Sequence, residues 1–169
     1  GDKTVAQTDD VDFAVLGSAA LAMKCFQREV EKLAEKSAKS SPSDVSQLAS
    51  FPAYSILLFM LEYDAAGLNQ KKHQGLLKKF GVDTAGNLKT YPLLSQSALF
   101  EIFGGLGLSR ESIRRLLILL SDYGLLERTS KGPPFPDQLG ISKEGGRLMR
   151  RAAKKLAKDM EKSKQFGYL

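Results

Sequence analysis

Three arginines crowd one short stretch of this 169-residue chain, Arg110, Arg114 and Arg115, just after a run of glycines. A guanidinium is a flat fork of donors that matches the major-groove edge of guanine or a phosphate oxygen pair. Ser109, Glu111 and Ser112 stand among them. On a helix opening at Ser109, Arg110 and Arg114 share one side, with Ser112 and Arg115 on the adjacent flank. Ile113, Leu116, Leu117 and Leu120 recur at i, i+3, i+4 and i+7, so they form the buried side. This spacing suits recognition of a polyanion by a polar helix end.

The residue types for catalysis are scarce. His73 is the single histidine, so one chain cannot build a multi-histidine metal site. Cys25 is the single cysteine and falls beside an apolar seam, where a thiol acts as a small hydrophobe. The cluster Gly104, Gly105 and Gly107 follows a helix, whereas a phosphate-cradling loop follows a strand. We therefore expect no catalytic residues, no metal and no cofactor.

The elements around the arginines can be read in order. Ala98, Leu99, Ile102 and Phe103 mark one helix, and the glycines break it. Leu106 and Leu108 would plug the corner. Ser109 is an N-cap, with Glu111 in the first turn where a carboxylate suits the helix dipole. Gly124 stops this second helix, and Leu125 to Arg128 read as a strand. Residues 129–140 are rich in turn formers, which predicts a hairpin with strands near 125–130 and 138–142. Ser142 can cap a further helix running to about 163. Helix-turn-helix, hairpin and long helix in that order is a winged-helix arrangement. The expected interface comprises Gln96, Ser97, Ser109, Arg110, Glu111, Ser112, Arg114, Arg115, Arg128 and Lys131, with double-stranded DNA as partner.

The flanking segments need partners of their own. Residues 1–10 read as a disordered acidic tail. Residues 11–36 form a helix on which Leu16, Ala19, Met23, Phe26, Val30 and Leu33 step by threes and fours, a seam that wants a second helix. Residues 37–46 read as a polar linker. A domain spans 50–142, with 65–93 as an insertion that could lie over the apolar Ile118. Within it, Phe51, Tyr54 and Phe59 are candidates to line a ligand pocket. The helix 143–163 presents Met149, Ala152, Leu156 and Met160 on one side. The two terminal helices are expected to dimerise. The fold class is therefore mainly α with a small β-hairpin wing: a winged helix-turn-helix flanked by dimerisation helices.

Charge is unevenly placed. Residues 1–70 hold 6 Lys/Arg and 10 Asp/Glu, whereas residues 71–169 hold 19 and 9. The half with the arginine helix is thus the positive half, as a polyanion partner requires. A lone cysteine suits a reducing compartment, and no apolar run is long enough to cross a membrane. No signal-peptide pattern is visible, so a cytoplasmic protein without membrane contact is expected.

Residues 94–150 resemble the winged-helix core of the MarR family of transcription regulators. The resemblance is carried by Leu94, Ser95 and Gln96, by Leu106, Gly107, Leu108 and Ser109, and by Arg114, Arg115 and Leu116. Tyr123, Gly124, Leu125, Leu126, Glu127 and Arg128 continue it, followed by Ile141, Ser142, Lys143, Glu144 and Gly145. It covers about a third of the chain. It implies a homodimer held by the terminal helices, DNA binding by the 109–122 helix, and release of DNA by a small-molecule effector. The chain departs from that pattern at Ile118 and Leu119, where the family tends to be polar, and in a wing without arginine at its tip. Those departures favour the second reading, a winged helix used as a protein–protein interaction module.

Overall fold

The structure, a computed structural model, describes residues 2–82, 94–104 and 107–165, with side chains from residue 12 onward. The described residues form seven helices and one two-stranded antiparallel sheet. The order is α1 (Asp2–Glu35), α2 (Pro42–Leu48), α3 (Phe51–Ala66), α4 (Gln70–Lys79), α5 (Gln96–Phe103), α6 (Arg110–Asp122), β1 (Leu126–Thr129), β2 (Gln138–Ile141) and α7 (Lys143–Gln165). Two compact units result: residues 41–147, and residues 1–40 with 148–169.

The larger unit is built on α3. That helix is apolar almost all round, and Ala53, Ile56, Leu57, Phe59 and Met60 are sealed from solvent. Phe59 is the centre of an aromatic cluster with ring centroids 5.6 Å from Tyr63, 5.3 Å from Phe80 and 5.6 Å from Phe103. Leu77, Leu99, Ile113, Leu117, Leu120 and Leu125 complete this core. Each such side chain contributes about 1.5–3 kcal/mol by leaving water. Serine and asparagine caps open the helices: Ser41 for α2, Ser50 for α3, Asn69 for α4, Ser95 for α5 and Ser109 for α6 each accept the backbone N–H three residues on.

The segment 37–46, expected as a linker, contains the start of α2. Ser41 followed by Pro42 is a cap and first-turn pair, and Pro42 supplies the φ a helix start needs. Tyr123 anchors this short helix by donating its hydroxyl to Asp44 Oδ2 at 2.9 Å. Burial, then that hydrogen bond and the charge of Asp44, push the Tyr123 phenol above its ordinary value.

The hairpin pairs Leu126 with Ile141 and Thr129 with Gln138. Beyond it, the Leu139 N–H donates to the Leu94 carbonyl at 2.7 Å, so the residue leading into α5 lies along the free edge of β2. Behind the hairpin, Ser142 Oγ donates to the Gly124 carbonyl at 2.6 Å and accepts the Gly145 N–H at 2.9 Å. Gly145 must be glycine: a Cβ there would stand 2.2 Å from the Leu125 carbonyl oxygen.

In the smaller unit, α1 packs against α7 from Leu148 onward. Arg151 Nε donates to Glu29 Oε2 at 3.2 Å, and Cys25 Sγ donates to Asp159 Oδ2 at 3.7 Å, which fixes the two helices antiparallel. Burial raises the Cys25 thiol above its ordinary value, with the Asp159 charge adding to the effect. Two expectations change here. First, α1 begins at Asp2, so the acidic stretch expected as a disordered tail forms the helix's opening turns, and the helix runs on through Gly17 to Glu35. Second, Phe26, Val30, Met149 and Ala152, expected at a dimer contact, are already buried within one chain. The seam on α1 finds its partner in the same molecule. Leu16 and Ala19 remain exposed, while Met23, Leu33, Leu156 and Met160 are half-buried.

Candidate nucleic-acid interface

The arginines sit where the sequence puts them, at the solvent end of a helix whose opposite side is core. Ile113, Leu116, Leu117 and Leu120 are buried, and Ser109, Arg110, Glu111, Ser112, Arg114 and Arg115 are exposed. Ser109 caps α6 by accepting the Ser112 N–H at 3.0 Å, and its hydroxyl donates to Ser112 Oγ at 2.9 Å. Gly107, with φ of 75°, supplies the left-handed residue that the approach to this helix requires. Gly105 and Leu106, expected in the same corner, lie outside the described residues.

Each arginine has a distinct setting. Arg110 lays its guanidinium over the Phe100 ring of α5, 4.2 Å from the centroid. Arg114 is held side-on by Glu111: its Nε donates to Oε2 at 2.8 Å and its Nη2 to Oε1 at 2.6 Å. Arg115 Nε also donates to Glu111 Oε1, at 3.1 Å. Hydrogen bonds from Arg114, its charge, and then Arg115 hold the Glu111 carboxyl at about 2, well below the ordinary 4.5. The side chains stay accessible all the same, Arg114 at 45% and Arg115 at 71%.

The flank of α6 bears on α2 and the start of α3. Ser46, Gln47 and Ser50 face Ser112 and Arg115 across a groove of about 480 Å³. These α2–α3 residues were absent from the sequence-derived interface, because nothing local links them to α6. On α5, Ser97 is exposed and Gln96 half-buried in the first turn. On the hairpin, Arg128 Nη1 is tied to Asp137 Oδ2 at 3.3 Å, and Lys131 and Phe135 are exposed at the turn.

Other candidates fall elsewhere. Phe51 is exposed and lies 6.5 Å from Tyr54, but Phe59 is in the core, so the structure does not gather these three around a pocket. His73 is buried, stacked on Tyr63 at 4.1 Å, with Nε2 3.3 Å from the Tyr63 carbonyl. Ile118 stays 38% exposed. The described part of the insertion, including α4, packs on α3, and residues 83–93 lie outside the described residues. Among the described residues, no group of three or more His, Cys, Asp or Glu stands together to hold a metal ion. No single described helix is long and apolar enough to cross a membrane.

Comparison with family models, with curated proteins and with solved structures finds no match.

Proposed function

We propose that this protein is a sequence-specific DNA-binding transcription regulator, with α5 and α6 as a helix-turn-helix and β1–β2 as its wing. The observation that carries this reading is the exposed end of α6: three guanidiniums and two hydroxyls on the solvent side of a helix whose back is sealed in the core. The Leu94 carbonyl, bonded to the Leu139 N–H on the edge of β2, supports the winged-helix form, since it holds the lead-in to α5 against the hairpin. Arg110, Arg114 and Arg115 would meet base edges and phosphates, with Ser109, Ser112, Ser97 and the Ser46–Ser50 flank on the backbone. Lys131 would reach the neighbouring phosphates from the wing.

A homodimer fits this reading, with two α6 ends about one helical turn of DNA apart. Its support is the apolar stretch Phe13, Val15 and Leu16 on α1, exposed in one chain. A second copy could cover it. A small-molecule effector follows only from the family resemblance, and a place in the cytoplasm from the lone cysteine and the sequence pattern; both stand with this proposal.

The second reading, a protein–protein interaction module, has its own support. Phe135 is 63% exposed at the hairpin turn, Ile118 is exposed on α6, and Glu111 neutralises part of the arginine charge. Salt separates the two. Retention on duplex DNA should fall steeply with salt, with a log–log slope of about 0.9 per phosphate contacted. No retention at low salt would leave the interaction module standing.

A further inference from the structure

We infer that Glu111 is a positioning residue that presents Arg114 as the guanine reader of this helix end; the inference rests on the DNA-binding reading. A guanidinium has five N–H donors in a rigid plane. Glu111 takes two of them from Arg114, the one on Nε and one on Nη2. The donors that remain are the second on Nη2 and both on Nη1. They include the end-on pair, whose parallel geometry matches guanine O6 and N7. A side-on carboxylate and an end-on base can therefore share one arginine without competing.

The neighbours divide the work. Arg115 gives only its Nε to Glu111, and it borders the groove with Ser46, Gln47 and Ser50, on the flank. That setting suits a phosphate. Arg110 spends its guanidinium face on Phe100, which leaves its edge for the backbone. Glu111 also sets a threshold. Its negative charge weakens attraction to phosphate at large, so binding without the correct base is disfavoured. Removing the carboxylate should therefore move affinity and selectivity in opposite directions, which a merely structural role would not do.

The test is selection from a random-sequence duplex library at fixed salt, with wild type, Glu111→Gln and Arg114→Lys. Wild type should enrich a guanine at one position in each half-site. Glu111→Gln should hold unselected duplex as tightly or more tightly, while its preference for that guanine drops about tenfold. Arg114→Lys, which cannot bind side-on and end-on together, should lose the same preference. An unchanged guanine preference in Glu111→Gln overturns the inference and leaves DNA binding intact. So does a wild type that holds duplex with no base preference. If no variant retains duplex even at low salt, the DNA-binding reading itself falls.

Discussion

Two cation-bearing helices, α6 and α7, make different use of their charge. Helix α7 carries nine Lys or Arg residues and α6 carries three. Yet α7's cations are strung along the whole helix, and Arg151 among them ties it to α1. Arg151 reaches Glu29, Lys155 reaches Asp159, and Arg147 pairs with Glu144 one turn back. On α6 the cations cluster at the end that faces water, and their carboxylate partner belongs to the same helix turn. The amount of charge on a helix therefore says little about where a polyanion would bind. What decides is whether the cations serve the fold or project beyond it.

That contrast is broken most directly by neutralising each set in turn. Arg110→Ala, Arg114→Ala and Arg115→Ala together should weaken duplex binding by about a hundredfold or more, with the melting temperature nearly unchanged. Arg150→Ala, Lys154→Ala and Lys158→Ala together should leave binding within about threefold, a weak long-range field effect. Titration of labelled duplex with both variants at one salt concentration checks this. Equal losses in the two would mean that α7 shares the interface. The next effect is on stability and belongs to α7. Glu29 keeps only 9% of its side chain exposed, and Arg151 is its principal partner. Arg151→Ala should cost about 1–2 kcal/mol in urea unfolding, because a mostly buried carboxylate is left with Lys32 alone. DNA affinity should not follow.

Much of α6 could be read from sequence because its order is local. The apolar stripe, the Ser109 cap and the Gly124 stop all belong to one continuous segment of chain, and the hairpin and the Ser142 cap are set by short-range turn chemistry. The pairing of Glu111 with Arg114 and Arg115 was also within reach, since three- and four-residue spacing brings side chains together on a helix. Three features needed the fold. Phe100 meets Arg110 only after the chain turns the corner between α5 and α6. The Ser46–Ser50 flank meets α6 only in the folded chain, where buried Leu48 and the Tyr123–Asp44 hydrogen bond hold α2 in place. The seam on α1 specifies that a helix must cover it, but periodicity cannot say whether that helix belongs to the same chain. Helix α2 was legible in principle, but a seven-residue polar segment carries too little apolar pattern to outweigh a linker reading.

The smallest effect tests whether the carboxylate of Glu111 is engaged in solution as its geometry indicates. Its folded-state value is about 2 against an ordinary 4.5, so the unfolded chain takes up the proton first as pH falls. The stabilisation it gives is therefore complete above 4.5 and is lost as the pH drops toward about 2. Glu111→Gln should melt slightly below wild type near neutrality, and the gap should close across that acidic window. The side chain is half-exposed and screened by solvent, so the gap is expected to be small. A gap that persists unchanged into acid would show that the Glu111 pairing with Arg114 and Arg115 does not form in solution. It would also remove the constraint that sets Arg114 side-on. Because the window lies far below neutrality, Glu111 is fully charged wherever DNA binding is measured. Any change in affinity with pH near neutrality must then come from another group.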